Sequence, residues 1–130
     1  MRIEQNVSDV MTERVVGIEM DRPVSEAVSL MRQENLRKVL LFEGGMPKGV
    51  LEDWMAAKME QAKPIREALA DLHVTPPPVT PVPPNLTILE AEAALASFAA
   101  LVVVEDPRNP KAIRGIVTST DLYKAKPKFF

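Results

Sequence analysis

The chain has 130 residues, a formal net charge of −2 and 46% hydrophobic residues, as expected of a globular domain or two small ones and not of a disordered segment. The absence of cysteine excludes disulfides and thiolate metal sites, and the slight acidic excess argues against a nucleic-acid binder. The most apolar stretch, residues 91–104, is shorter than the roughly 20 residues that span a bilayer, and the first residues lack a signal-peptide core, so we expect a cytoplasmic protein with no membrane contact.

The first half of the chain predicts a helical turn, a strand, a helix, a β-hairpin and a closing helix. Their residues are 7–11, 15–18, 24–31, 38–51 and 52–61. Ser25 is a candidate N-cap of the predicted helix over residues 24–31, because its hydroxyl can accept from an unpaired amide. Gly44 and Gly45 supply the turn between the two apolar runs of the hairpin.

The second half repeats this order. The corresponding segments are 65–69, 79–82, 88–91, 101–104 and 113–117, followed by a short helix from Ser119. Self-similarity at this period indicates a duplicated unit, and about sixty residues are marginal alone. We therefore predict an α/β (α+β) fold of two β-α-β-β-α repeats, residues 1–63 and 64–130, with pseudo-twofold symmetry, small mixed sheets packed together and helices outside. The proline-rich residues 75–84 are interpreted as a stiff connector, with a polyproline recognition segment as the alternative.

The repeated pattern resembles the cystathionine-β-synthase (CBS) domain pair, often called a Bateman module. The likeness extends from Val7 to Lys124 and is carried by residues 7–12, 23–31 and 115–122. It implies a regulatory energy or metabolite sensor, not an enzyme, with no catalytic cofactor, whose ligand between the repeats is AMP, ADP, ATP or S-adenosylmethionine. It also implies a homodimer and a possible separate target protein.

The same resemblance points to Thr118 and Asp121 as the residues that hold the ribose. An ionised carboxylate can accept from both hydroxyls of a ribose. Ser119 lies at the predicted strand-to-helix junction, where backbone amides favour a phosphate. By analogy with the family, the adenine pocket is assigned to Val79, Thr80 and Leu101. The alternative is structural, because Thr118-x-x-Asp121 is also the signal of a helix capping box.

The first repeat departs from this motif. Glu52 stands where Thr118 stands in the second repeat, and Met55 replaces the aspartate. A thioether cannot hold a ribose, and Glu52 would repel a phosphate. Asp53 is two positions early, so we do not assign it to the site, and we expect the first-repeat site to be empty or altered.

The basic residues show the same asymmetry. In the family, residues just before the second strand of one repeat often contact phosphates bound beside the other repeat. For the Thr118 and Asp121 site these positions are Arg37 and Lys38, whereas for the altered site they are alanines at 99 and 100. The alternative is that Arg37 and Lys38 are simply a solvated entry to a strand.

Other signals carry no chemistry. His73 is the only histidine, so neither a metal site nor a nucleophile–base pair is expected. Trp54, Met55 and Met59 form either a dimer face or core. The rival interpretation of the whole chain is a structural or dimerisation module that binds a partner protein and no ligand. We assign no role to the tail of lysines and phenylalanines, residues 124–130.

Overall fold

The structure, a computed structural model, describes residues 5–125, so the tail from Lys126 to Phe130 lies outside the described residues. The elements in chain order are α1 (Val7–Val10), β1 (Gly17–Glu19), α2 (Val24–Gln33), β2 (Lys38–Glu43), β3 (Met46–Glu52), α3 (Asp53–Ala56), α4 (Ile65–Asp71), β4 (Val79–Val82), α5 (Ile88–Ala94), β5 (Ala100–Val104), β6 (Ile113–Val117) and α6 (Ser119–Ala125). The order helix, strand, helix, two strands and helix therefore occurs twice, as the duplicated pattern predicts.

The described residues form two compact units. Residues 16–77 make up the central unit, and residues 5–15 with 78–125 make up the terminal unit. Helix α1 therefore belongs to the terminal unit, although it precedes the first sheet in the chain. These units are defined by contacts, whereas the division into repeats 1–63 and 64–130 follows the sequence pattern and stays a prediction.

Each unit contains a three-stranded mixed sheet of the same topology. In the central unit the order is β1-β2-β3, with β1 parallel and β3 antiparallel to β2. In the terminal unit the order is β4-β5-β6, again with one parallel and one antiparallel neighbour of the middle strand. The repetition confirms the predicted α+β class and the tandem β-α-β-β-α pattern.

Each unit also has its own hydrophobic core. Leu41, Leu51 and Ile65 are fully buried in the core of the central unit, and Leu101 and Val117 are fully buried in that of the terminal unit. Full burial of such a side chain contributes about 1.5–3 kcal/mol. Strand β5 is buried along its whole length, which explains why its sequence is apolar at every position and not at alternate ones.

The predicted hairpin turn between β2 and β3 is confirmed. Gly44 and Gly45 have φ values of 58° and 80°, and two successive positive φ angles favour glycine at both positions. The carboxylate of Glu19 accepts from the amides of both glycines, at 3.1 and 2.8 Å. The turn is therefore fixed by backbone conformation and by a side chain from β1.

Helix α2 begins at Val24, as the sequence predicts, but its N-cap lies two residues before the predicted one. Pro23 is at the N-cap, so the predicted N-cap role of Ser25 is wrong. The Val24 amide donates to the carbonyl of Lys63 at 2.9 Å, and the Ser25 amide donates to the carbonyl of Gln61 at 3.0 Å. Because the backbone before α4 already satisfies these amides, no side-chain cap is required.

The predicted helix from Glu52 to Gln61 is too long. Helix α3 ends at Ala56, and the side-chain amide of Gln61 donates to the carbonyls of Ala56 and Met59, both at 3.1 Å. Carbonyls at the end of a helix lack partners within it, so Gln61 satisfies the chain where it leaves the helix. The alanines and lysine of this stretch favour a helix locally, but helix α3 ends before Gln61, whose side chain contacts the carbonyls at the helix end.

Two helices end on residues in the left-handed conformation. Asn35 follows α2 with φ 53°, and His73 follows α4 with φ 54°. After α4 the Val74 amide donates to the carbonyl of Leu69 at 3.1 Å, and the same pattern follows α2. This is the Schellman geometry, which favours glycine at the left-handed position. The lone histidine is exposed and terminates a helix.

Candidate functional site

The two residues predicted to hold a ribose lie at the junction of β6 and α6. Strand β6 ends at Val117 and helix α6 begins at Ser119, so Thr118 lies between them. The Asp121 carboxylate turns back towards this junction. Its Oδ2 accepts from the Thr118 amide at 2.8 Å and from the Thr118 hydroxyl at 3.2 Å. The structure therefore brings Thr118 and Asp121 together, and both are half-buried.

This arrangement contains the acidic half of a capping box. An acid at the third helical position satisfies the amide of the residue before the helix. Helix α5 shows the full motif, because Thr87 Oγ1 accepts from the Glu90 amide at 3.2 Å while the Thr87 amide donates to Glu90 at 3.1 Å. The Glu90 carboxylate is exposed, and the hydrogen bonds from Thr87 lower its pKa. The structural alternative for Asp121 is thus realised in part.

Asp121 differs from Glu90 in having a third donor from a distant part of the chain. Thr12 Oγ1 donates to Asp121 Oδ1 at 3.0 Å, across 109 residues of sequence. Both carboxylate oxygens are therefore engaged, Oδ2 by Thr118 and Oδ1 by Thr12. Since an ionised carboxylate offers about four acceptor positions, one position on Oδ1 is left for a further donor. Capping of the helix does not exclude ribose binding.

The backbone of Thr12 is held against β6. Its amide donates to the Ile116 carbonyl at 2.9 Å, and the Ile116 amide donates back to its carbonyl at 3.0 Å. A Cβ atom on Gly115 would lie 2.6 Å from Met11 Sδ and 3.0 Å from the Thr12 carbonyl oxygen. Gly115 therefore lets residues 11 and 12 lie close to β6, where the Thr12 hydroxyl reaches Asp121.

The residues assigned to the adenine lie at the same end of the terminal sheet. Thr80 of β4 is paired with Leu101 of β5, and Leu101 is paired with Val117 of β6, one residue before Thr118. Val79 and Thr80 are half-buried. Leu101 is fully buried in the core of the unit, so its side chain supports the sheet. The assignment of these residues to a base stays a prediction.

Two of the three residues predicted to contact a phosphate line grooves on the surface. Ser119 is exposed and lines a groove of about 340 Å³ together with Tyr123. Arg37 and Lys38 are exposed residues of the central unit. Arg37 lines another groove, of about 810 Å³, together with Arg32. The predicted contacts of Ser119, Arg37 and Lys38 with phosphate stay predictions.

The corresponding junction in the central unit has no ribose-binding pair. Met55, which replaces the aspartate, is only 3% exposed and belongs to the hydrophobic core. The Glu52 carboxylate accepts from the indole nitrogen of Trp54, and that tryptophan is exposed. Of the two interpretations left open for Trp54, Met55 and Met59, the core therefore holds for the two methionines, whereas Trp54 is at the surface.

Thr12 is the site residue that sequence reasoning missed. It belongs to one of the segments that carry the family resemblance, but no local pattern connects it with Asp121. Its placement depends on the backbone pairing with Ile116, which joins two segments far apart in the chain. A glycine two residues before the end of an apolar strand was the available signal of a close crossing.

Within residues 5–125, no three acidic or histidine side chains are grouped so that they could hold a metal ion. Over the same residues, none of the helices has the length and apolar character needed to cross a membrane.

Comparison with solved structures shows the same fold in several proteins. A hemolysin-like protein containing a CBS domain from Oenococcus oeni is 16% identical with a TM-score of 0.75, over 93% of this chain and 89% of that chain. The CBS domain pair of protein MJ0100, in complex with 5′-methylthioadenosine and S-adenosyl-L-methionine, is 19% identical with a TM-score of 0.70, over 95% and 96%. The cytosolic domain of the Mg²⁺ channel MgtE, in complex with ATP, is 20% identical with a TM-score of 0.69, over 92% and 48%.

These identities are low, so the likeness to solved structures shows the fold alone. No curated protein matches the chain in sequence. The family model of the CBS domain, however, matches twice, over residues 7–57 and over residues 69–128. The two matches cover most of the chain and repeat in the same order as the two sheets. The chain therefore belongs to the CBS domain family and contains two CBS domains in tandem.

Proposed function

We propose that this CBS pair is a regulatory module that binds an adenosyl ligand at the junction of β6 and α6. The observation that supports the proposal is the Asp121 carboxylate, which is half-buried, fixed by hydrogen bonds on both oxygens and left with an acceptor position for a hydroxyl. Thr80 lies at the same end of the sheet. The solved CBS pair with S-adenosyl-L-methionine and the MgtE cytosolic domain with ATP make adenosyl compounds the ligands to test.

Recognition depends on the diol of the ribose. Hydrogen bonds to a charged acceptor contribute about 1.5–3 kcal/mol each before the desolvation of a half-buried site is counted. The carboxylate offers no donor, so it selects ligands with free hydroxyls over ligands whose hydroxyls are blocked. We expect a 2′,3′-dideoxy adenosyl compound to bind at least about tenfold more weakly than its parent, which corresponds to 1.4 kcal/mol.

The test is isothermal titration calorimetry of the full chain with AMP, ADP, ATP and S-adenosylmethionine. For whichever of these binds, Asp121→Ala should weaken affinity by at least about tenfold, the equivalent of one charge-assisted bond. Asp106→Asn is the matched control, because this acid lies in the connection between β5 and β6 and bonds only locally to Arg108. Failure of all four ligands to bind, or full affinity in Asp121→Ala, would contradict the proposal.

The contribution of phosphate is a separate arm of this test. Arg37 and Lys38 are exposed cations of the central unit. We propose that they contact the phosphates of a nucleotide. Arg37→Ala and Lys38→Ala should therefore weaken the binding of ATP more than the binding of adenosine. Equal losses for both ligands, or none, would assign these residues to the solvated entry of β2.

The second candidate function is a structural module without a ligand. It is favoured by the same carboxylate, because every described bond of Asp121 is also explained by capping of α6 and by attachment of Thr12. This candidate predicts no thermal shift with any adenosyl compound. Both candidates are non-catalytic, so incubation with ATP should give no product, and turnover would contradict both.

Self-association is proposed for either candidate. Leu89 and Tyr123, on α5 and α6, are each 76% exposed, and Trp54 on α3 is 55% exposed, and exposed apolar helix surfaces mark interaction sites. Arg32 lines the groove beside Trp54, whereas Glu92 lines the groove beside Tyr123. We propose that the face of α2 and α3 in one copy contacts the face of α5 and α6 in a second copy.

The charges on these faces make the pairing testable by sedimentation equilibrium. Arg32→Glu and Glu92→Arg should each weaken self-association, because each places like charges opposite one another. The double variant should restore it if unlike faces meet. A double variant as weak as the singles would mean that like faces meet, and a wild-type monomer would exclude the homodimer.

A further inference from the structure

The Thr12 hydroxyl occupies one of the acceptor positions that a ribose needs. Asp121 Oδ2 already accepts from the Thr118 amide and hydroxyl, and Oδ1 accepts from Thr12 at 3.0 Å. Three donors therefore share the roughly four acceptor positions of the carboxylate. A ribose diol adds two donors, which makes five. One existing donor has to leave for both hydroxyls to bind.

Of the three donors, Thr12 is the one placed to leave. The Thr118 amide is fixed in the backbone at the start of α6, and the Thr118 hydroxyl lies in the same turn as the carboxylate. Thr12 is exposed, so its hydroxyl can rotate to water at little cost. It also bonds to the same oxygen that carries the free position, and two hydroxyls bound at Oδ1 would need both of its positions.

We propose that Thr12 is an internal competitor of the ribose at Asp121, so that binding of an adenosyl ligand breaks the Thr12–Asp121 bond and loosens Thr12 from β6. This inference rests on the proposed function, because it requires a ligand at Asp121. It goes beyond it in assigning a structural output. The output is local to the terminal unit, to which α1, β6 and α6 all belong.

The loosening follows from the way Thr12 is attached. Thr12 contacts β6 through its two backbone bonds with Ile116 and contacts α6 through its side chain. Loss of the side-chain bond leaves Thr12 attached to β6 by this isolated two-bond bridge. Residues 7 and 8 stay in place, because their amides donate to the carbonyls of Leu86 and Pro84 and Val7 is buried in the core. By thermodynamic linkage, the bound ligand weakens the Thr12–Asp121 contact by the same factor as that contact weakens the affinity for the ligand. A partner protein that binds at residues 11 and 12 would thereby detect the ligand.

The experiment compares Thr12→Val with Thr12→Ser in the full chain. Valine keeps the shape of threonine without its donor, and serine keeps the donor. Without ligand, Thr12→Val should have a lower melting temperature than the wild type, whereas Thr12→Ser should retain most of it. In calorimetry with ATP and with S-adenosylmethionine, Thr12→Val should bind about three- to tenfold more tightly, which corresponds to one net hydrogen bond, and Thr12→Ser should bind as the wild type does.

Hydrogen exchange gives an independent measurement. Saturating ligand should speed exchange of the Thr12 and Ile116 amides in the wild type and have little effect on them in Thr12→Val. If the wild type binds none of the adenosyl compounds, the proposed function is wrong. If the wild type binds but Thr12→Val binds equally or more weakly, the competition is wrong while the ribose site stands. If Thr12→Val binds the ligand more weakly than the wild type and also melts at a lower temperature, Thr12 is a positioning residue.

Discussion

Gly115 gives the most direct test of how the candidate site is built. In Gly115→Ala the new Cβ would lie 2.6 Å from Met11 Sδ, 2.9 Å from Met11 Cγ and 3.0 Å from the Thr12 carbonyl oxygen. Ordinary contacts of a Cβ atom start near 3.4 Å, so the neighbours have to move. The Met11 side chain can shift by rotation. The Thr12 carbonyl moves less easily, because it accepts from the Ile116 amide at 3.0 Å.

The expected cost follows from two opposing effects. Overpacking of a filled site costs about 1–3 kcal/mol, whereas alanine in place of glycine restricts the unfolded chain and returns about 0.4–1 kcal/mol. The net expectation is a loss of about 1–2 kcal/mol in the free energy of unfolding, measured by urea denaturation. Because Thr12 is displaced with the segment, its hydroxyl should also lose contact with Asp121.

A double-mutant cycle separates the two neighbours. Met11→Ala removes both side-chain atoms that the new Cβ would meet. In that background Gly115→Ala should cost about 1 kcal/mol less, since only the Thr12 carbonyl then opposes it. Gly44→Ala is the control, because nothing lies within 4 Å of its Cβ and its φ of 58° is the sole source of strain. Its cost should be the same in both backgrounds. A neutral Gly115→Ala, or an unchanged cost beside Met11→Ala, would refute the reasoning.

Two further predictions concern helix ends. His73→Gly should raise the free energy of unfolding by about 0.5–1 kcal/mol, because His73 adopts φ 54° and glycine adopts this angle without strain. Asn35→Gly should raise it less, because asparagine tolerates this conformation. A lower free energy of unfolding in His73→Gly would contradict the Schellman assignment. The lowered pKa of Glu90, caused by hydrogen bonds from Thr87, means that its stabilisation is present above the unfolded pKa and is lost as the pH falls through the folded pKa. In Glu90→Gln the melting temperature should therefore fall less between about pH 5 and pH 3 than in the wild type. Glu92→Gln on the same helix is the control. An equally steep fall in both variants would exclude the capping box as the cause of the pH dependence.

The strands of the second repeat were the most predictable part of the fold. Strand β6 occupies residues 113–117 as the sequence predicts, and β5 adds one residue to its apolar run. Strands of this kind are specified by continuous apolar residues and by turn residues between them, both of which are local. The duplication added a second reading of the same pattern, so each assignment in one half supported its counterpart in the other.

The N-cap error occurred where a distant backbone group replaced a local side chain. Ser25 has the right chemistry for a cap, but the carbonyls of Gln61 and Lys63 satisfy the start of α2. The site itself shows the same limit. The spacing of Thr118 and Asp121 predicted their contact through either alternative, whereas the bond from Thr12 spans 109 residues. No periodicity or propensity records which distant segment lies beside a given strand.

The two junctions of the tandem pair differ in more than a lost motif. After β6, Asp121 is half-buried, and donors from two segments hold its carboxylate at the surface of the unit. After β3, the equivalent side chain is Met55, which is 3% exposed and packs in the core. Placing a carboxylate there would remove packing and bury a charge without partners, which costs far more than a ligand returns. At this position the central unit therefore has a core residue and not a ligand-binding one. The terminal unit retains a polar junction, and it is there that the ligand should act.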